Sequence, residues 1–278
     1  MPRGRLPDSS IDHIAVMRLN RPAWPHIVVP TTAGTGSEVT NVAVIKNHEV
    51  GRKVYIVENA IFPSVAILDP QFVQGLPPGL TAGTGLDALT HALEALMSVR
   101  SNPVCDAQAL HAARLIALNL PLCVANGGDL KARAQMQAAS TLAGWAFSTA
   151  QVALAHAMAH TVGGPLYGVP HGSACGIVLP HVMRFNVEYC APALKQAALA
   201  LGREVGALAP LEAALAAAQA VADLITAIGH PARLRDMGVP EEDLYEAAAH
   251  AVADPACIFN PRPVTDPGQV YEVFEQAW

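Results

Sequence analysis

From Ala134 to Met183 the chain runs for 50 residues without a single Asp, Glu, Lys or Arg. A segment so long and so free of charge has to leave water, either for a membrane or for a protein interior. A membrane-spanning helix needs about 20 predominantly apolar residues in succession. Here Gln135, Gln137, Ser140, Ser148, Gln151, His156 and His160 interrupt the run, and Gly163, Gly164 and Pro165 break it. The segment is therefore expected to form helices buried in a globular core, not to cross a membrane. A buried histidine costs free energy unless it is hydrogen-bonded or metal-bound. The histidines of this segment thus become the first candidates for function.

Composition narrows the classes further. Of 278 residues, 52% are hydrophobic and 14% are charged, against about 25% charged in an ordinary soluble domain. So apolar a chain is not intrinsically disordered. The formal net charge is −6 with no basic stripe, which argues against nucleic-acid binding. The cysteines are Cys105, Cys123, Cys175, Cys190 and Cys257. An odd number without a CxxC pair favours neither a disulfide scaffold nor a cysteine-based zinc site. Free thiols point to a reducing, cytoplasmic compartment. The opening MPRGRLPDSS has no apolar core, so no signal peptide is expected.

Organisation changes along the chain. His26–Val29, Val39–Ile45, Val54–Val57 and Val65–Leu68 are short apolar or β-branched runs that read as strands. Pro77-Pro78-Gly79 then punctuates the sequence. Beyond it, Leu86, Leu89, Leu93 and Leu96 recur at helical spacing, predicting a helix over Thr84–Val99. Further helices are expected over Asp106–Leu120, Leu130–Phe147, Ala150–Val162, Ala191–Gly202, Pro210–Ile228 and Glu241–Val252, all rich in alanine. The expected organisation is an α/β part over residues 1–79 and a larger all-helical part over residues 80–278. Met158 and Trp145 are expected in the core.

Three motifs carry chemistry. Pro30-Thr-Thr-Ala-Gly-Thr-Gly-Ser-Glu38 follows a predicted strand. Its glycines let a backbone approach a ligand, and its hydroxyls and N–H groups suit phosphate or ribose oxygens. It matches neither the P-loop nor GxGxxG, so a structural turn and a ligand loop both stay open. Asp87-Ala-Leu-Thr-His91 places Asp and His on one helix face, as a buried hydrogen bond or as two metal ligands. His156-Ala-Met-Ala-His160 repeats that spacing, and Pro170-His171-Gly172 adds a histidine expected in a turn. Together, in nearly charge-free surroundings, they are explained most economically by metal coordination. Three nitrogens and one carboxylate oxygen suit Fe(II) or Zn(II). With a fifth group present, one, such as His160, is left to act on substrate or proton transfer. Cys175 is expected to be a small buried hydrophobe, and Glu94 a solvated carboxylate or an outer partner of the site.

The blocks PTTAGTGSE, GLDALTHALEA, HAMAHTVGGPLYGVPHGSACGIVLPHVMRFN and IGHPARLRDMGVPEEDL, in this order, resemble the iron-dependent (group III) alcohol dehydrogenase family, from about Ile27 to Trp278. The resemblance implies a dehydroquinate synthase-like architecture: an α/β remnant of a dinucleotide-binding domain followed by an all-α metal-binding domain. It implies Asp87, His91, His156 and His171 as ligands of Fe(II), or of Zn(II), with His160 as a catalytic non-ligand histidine near the nicotinamide. It implies that Thr31, Thr32, Thr35, Thr40 and Lys53 line the NAD or NADP site. The implied activity is hydride transfer between a small alcohol or aldehyde and the nicotinamide, in a homo-oligomer. A maleylacetate reductase-like activity is an alternative within the superfamily, and a non-catalytic metal-binding helical protein is an alternative outside it. One departure bears on this choice. Family members carry a GGGS pyrophosphate loop before the PTTAGT block, whereas Met1–Pro25 holds a single glycine, Gly4. A shortened nucleotide-binding domain is therefore expected.

Overall fold

The computed structural model describes residues 15–16, 24–47, 52–163 and 167–278. Its organising element is helix α1, Pro78–Met97. Almost every residue from Thr81 to Met97 is buried, as expected of a helix packed on all sides. The leucines at positions 86, 89, 93 and 96 therefore do not face a polar counterpart, because neighbours surround the whole helix. Pro78 lies in the first turn, where its missing N–H removes nothing and its fixed φ suits helix. The predicted start at Thr84 was late for that reason: a proline pair read as a break is the entry to the helix.

Around α1 pack α2 (Pro103–Ala125), α3 (Leu130–Ala150) and α5 (His171–Ala200). Asn102 caps α2 by accepting from the Val104 and Cys105 N–H groups, and Asp129 caps α3 by accepting from Ala132. The short helix α4 (Leu154–Val162) follows α3 after a break at Gln151, whose φ is 70°. Helix α6 (Pro210–Ala227) lies along α5, while α7 (Leu244–Val252) and α8 (Pro267–Ala277) pack together near α4 and α5. Helix α5 contains Pro180 and Pro192 and departs from helical geometry at Cys190 (φ −141°, ψ 29°). The helix expected from Ala191 is thus the second limb of a longer, kinked element. His171 opens that element; it does not lie in a turn.

By length and composition α2 and α6 could each cross a membrane, with mean hydropathy 1.3 and 1.2. Both are instead packed in the bundle, α2 on α1 and α3, α6 on α5. Met158 is fully buried, as expected, but Trp145 is half exposed.

The preceding part holds two small sheets. Strand β1 (Ala15–Val16) pairs in parallel with β4 (Arg52–Val57), which pairs antiparallel with β3 (Val42–Asn47) from Val42↔Val57 to Asn47↔Arg52. Strand β2 (Ile27–Val28) pairs in parallel with β5 (Val65–Ala66). The strand expected from Val39 begins three residues later, because Ser37–Val39 is a 3-10 turn. Gly36 enters that turn with φ 61°, and a Cβ on it would stand 2.7 Å from Gly144 Cα of α3. The loop thus presses directly on the helical part. Thr141 Oγ1 donates to buried Glu38 Oε1 at 2.6 Å, and Ser148 Oγ donates to Val39 O at 3.3 Å, fixing the same contact.

Candidate metal centre

Three helices converge at one point. Helix α1 brings Asp87 and His91, α4 brings His156 and His160, and α5 brings His171 and Cys175. The α1–α5 crossing is close because Gly172 has no side chain. A Cβ there would stand 2.3 Å from Gly83 O and 2.9 Å from Asp87 Cβ. This approach sets His171 Nε2 3.7 Å from Asp87 Oδ1, while His156 Nε2 lies 3.8 Å from the same oxygen. One donor atom each from Asp87, His156, His171 and Cys175 lies within 4.8 Å of the others.

Asp87 Oδ1 and His156 Nε2 are buried and have no hydrogen-bond partner. Buried polar atoms are normally satisfied, since leaving one without a partner costs about 1–3 kcal/mol. Two orphaned atoms facing each other across a gap too long for a hydrogen bond are what a bound cation would resolve. Carboxylate oxygen, imidazole nitrogen and thiol sulfur are donors suited to a divalent transition metal. The residues present therefore fit such an ion.

The structure brings together three of the four ligands implied by the sequence and sets the fourth beside them. His91 stacks on His156 with ring centroids 4.5 Å apart and on Phe147 at 4.3 Å, and its Nδ1 lies 3.2 Å from Gly34 O. That last contact ties the Gly/Thr loop to the cluster. Burial alone would raise the Asp87 carboxyl, but the imidazoles of His91, His171 and His156 outweigh it and hold Asp87 below the usual carboxylate range. Burial, and then the neighbouring His91, push His156 well below an ordinary histidine. The centre is thus anionic at the carboxylate and neutral at this imidazole, the protonation states a metal requires.

Glu94 is not a solvated carboxylate: it is fully buried one helical stripe along from Asp87. It accepts from the backbone N–H groups of Ala153 at 3.0 Å and Ala155 at 2.5 Å, and lies 2.6 Å from His156 Nδ1. Burial pushes its carboxyl up to about 7, against those hydrogen bonds. Because backbone donors converge on it, the network assigns the shared proton to His156 Nδ1 and the lone pair to Nε2, on the side of Asp87.

Asp254 was not among the candidates read from the sequence. It begins the 3-10 turn Pro255–Phe259, caps it by accepting from Ala256, and holds His160 Nδ1 at 2.8 Å. The only local signal is an Asp before Pro, which marks a cap and no more. His160 stacks on His171 at 5.3 Å, so it stands at the edge of the cluster.

The dinucleotide candidates fall on the Gly/Thr loop, just after it, and on β4. Thr31 and Thr35 are exposed on the loop and Thr32 is partly exposed, whereas Thr40 is buried. Thr35 Oγ1 accepts from Ser37 Oγ at 2.9 Å. Lys53 sits in β4, and its side chain lies outside the described residues.

Comparison with known proteins gives a consistent picture. Residues 81–278 match the model of the Fe-containing alcohol dehydrogenase family, C-terminal, and residues 8–70 match that of iron-containing alcohol dehydrogenase. The chain is 44% identical over 266 residues to 1,3-propanediol dehydrogenase of Citrobacter freundii, covering 96% of this chain and 68% of that one. It is 39% identical over 254 residues to an NAD-dependent methanol dehydrogenase of Bacillus methanolicus, covering 91% and 66%. Among solved structures, a 1,3-propanediol oxidoreductase superposes with a TM-score of 0.92 at 44% identity, covering 95% of this chain and 69% of that one.

Proposed function

The chain belongs to the iron-containing alcohol dehydrogenase family, and from that premise we propose that it is a metal-dependent oxidoreductase transferring hydride between a small alcohol or aldehyde and a nicotinamide dinucleotide. The observation that carries this reading is the pair of orphaned buried atoms, Asp87 Oδ1 and His156 Nε2, at the meeting of three helices. Asp87, His91, His156 and His171 are the proposed ligands, with Fe(II) or Zn(II) as the ion. When bound, the ion supplies Lewis acidity at the alcohol oxygen and NAD or NADP supplies the hydride acceptor.

The protein's own groups have separable tasks. Glu94 fixes the tautomer and orientation of His156, as outer partners of ligand histidines generally do. Asp254 does the same for His160: with Nδ1–H donated to the carboxylate, Nε2 carries the lone pair and can accept a proton from the substrate hydroxyl. The His160 and Asp254 side chains are 14% and 13% exposed, which gives that proton a way out to solvent. Asp87, His91 and His156 are buried, which keeps bulk water from them and strengthens electrostatic interactions inside. Thr31, Thr32, Thr35 and Lys53 are the proposed dinucleotide contacts, and the Gly34–His91 contact links that loop to the metal centre.

On this reading residues 1–79 contribute nucleotide-binding elements and residues 80–278 form the helical catalytic unit, a division supported by the start of α1 at Pro78 and by the separate family matches. All five cysteines are buried free thiols, which supports a reducing cytoplasm. Ile27, Val65 and Ile67 on and beside the β2–β5 pair are exposed, which supports association of this edge with a second copy of the chain. The test is spectrophotometric. Protein loaded anaerobically with Fe(II) or Zn(II) should reduce NAD or NADP when given a small primary alcohol, and His156→Ala should abolish this. Absence of alcohol-dependent reduction with either dinucleotide and either metal would refute the function.

A further inference from the structure

Glu38 is the one charged residue between Pro30 and Thr40, and it is buried. A buried carboxylate is costly unless hydrogen bonds compensate it. Among the described residues Glu38 makes no ion pair. Its described partner is the Thr141 hydroxyl of α3, at 2.6 Å, within the roughly 2.5–2.7 Å range of a hydroxyl donating to a charged oxygen. Neither the proposed metal ligands nor the proposed dinucleotide contacts include Glu38.

A short run of backbone joins this pair to the metal centre. Glu38 lies in the 3-10 turn Ser37–Val39, which Val39 N–H closes by donating to Gly36 O at 3.0 Å. Gly36 rests on Gly144 of α3, so Glu38 and Gly36 hold the turn to the same helix. Two residues earlier Gly34 lies against α1: a Cβ on it would stand 2.7 Å from Thr84 O. The Gly34 carbonyl oxygen meets His91 Nδ1 at 3.2 Å. A carbonyl oxygen can only accept. In a neutral His91 ring it therefore places the hydrogen on Nδ1 and the lone pair on Nε2. A histidine binds a metal only through a nitrogen that carries a lone pair. The position of Gly34 O thus decides which nitrogen His91 offers.

We propose that Glu38 is a positioning residue of the metal centre: held by Thr141, it seats the Gly/Thr loop between α3 and α1 so that Gly34 O fixes the tautomer of His91. This rests on the reading of His91 as a metal ligand. Deprived of the Thr141 hydroxyl, the Glu38 carboxylate has to reach water, and the turn that carries it leaves α3 and draws Gly34 away from His91. One loop then serves both parts of the site, offering side-chain hydroxyls to the dinucleotide and a backbone carbonyl to a metal ligand.

The test combines imidazole nitrogen NMR on the metal-free full chain, at a pH where the ring is neutral, with Zn(II) affinity measured by competition with a chromophoric chelator. In the parent, His91 should carry its hydrogen on Nδ1. Thr141→Val removes the donor at nearly constant volume. It should populate the Nε2–H tautomer and weaken Zn(II) binding by roughly 10-fold, the lower end of the loss that follows removal of an outer partner itself. Thr141→Ser keeps the hydroxyl and should retain the parent tautomer and affinity. Glu38→Ala removes the same hydrogen bond without leaving a buried carboxylate, so it serves if Thr141→Val does not fold, and it should shift the tautomer in the same direction. A merely structural contact would lower the unfolding midpoint and leave the His91 tautomer alone. A parent-like tautomer in both Thr141→Val and Glu38→Ala would therefore overturn the role of Glu38 and leave the metal centre standing. So would a Thr141→Ser that behaves like Thr141→Val, or an Nε2–H tautomer in the parent. Failure of the parent to bind Zn(II) at all would overturn the metal-centre reading and this role with it.

Discussion

Replacing Glu94 by glutamine changes one oxygen to an NH2 group in a fully buried position. The carboxylate now serves Ala155 N–H through Oε1, and Ala153 N–H, His156 N–H and His156 Nδ1 through Oε2. A glutamine has one acceptor oxygen. Placed at Oε2, it keeps Ala153 and His156 but turns its NH2 toward the Ala155 N–H, donor against donor, across what was a 2.5 Å contact. Losing one hydrogen bond to a charged acceptor and orphaning its donor costs about 2–3 kcal/mol. The opposite flip preserves Ala155 and strands three donors, which costs more. Glu94→Gln should therefore destabilise the metal-free protein by about 2–3 kcal/mol, a large fraction of the 5–15 kcal/mol of a typical domain. Urea unfolding read by circular dichroism measures it as a lower midpoint at unchanged slope. Metal affinity should fall by roughly 10–100-fold, because His156 loses the partner that holds its tautomer. Stability within about 0.5 kcal/mol of the parent, the range of ordinary surface substitutions, together with unchanged metal affinity, would refute the role assigned to Glu94.

Three further outcomes are expected. Asp254→Asn should let the His160 proton move to Nε2, lowering kcat by roughly 10²-fold with little change in KM. Imidazole nitrogen NMR on the Zn(II)-loaded protein should report the switched tautomer, and an unchanged tautomer would remove Asp254 from that role. His181 is pushed down from 6.5 to about 4 by burial and by Arg184 and Arg233. The unfolded chain takes up that proton near pH 6.5 and the folded chain only near pH 4, so stability is full above pH 6.5 and is lost as pH falls toward 4. The loss is about 3 kcal/mol, and unfolding at several pH values should show a shallower acid slope for His181→Gln. Gly172→Ala should force α1 and α5 apart, costing about 1–3 kcal/mol and weakening metal binding. Unchanged binding would show that the close crossing does not set the site.

What could be read from the sequence followed periodicity, and what could not depended on contacts between distant segments. The leucines of α1 announced a helix, and the Asp87–His91 and His156–His160 spacings each put two candidate groups on one helix face before any geometry was known. Pro180, Gly172 and Gly176 hid the first limb of α5, because each lowers helix propensity locally and only packing overrides it. His171 was therefore placed in a turn. Glu94 was visible seven residues from Asp87, but nothing local shows that the N-terminus of α4 docks against it. Asp254 lies 94 residues from its partner His160, and no spacing rule spans that distance. Trp145 on α3 was assigned to the core by type alone, whereas large aromatic residues are rarely buried completely.

The central claim is that a divalent ion sits where α1, α4 and α5 meet. Crystals of the metal-loaded protein, measured on either side of the absorption edge of the metal, test it directly. The predicted result is one dominant anomalous peak per chain, within about 2.0–2.3 Å of Asp87 Oδ1, His156 Nε2 and an imidazole nitrogen of His171. No peak between those residues, or a dominant peak elsewhere in the chain, would contradict it.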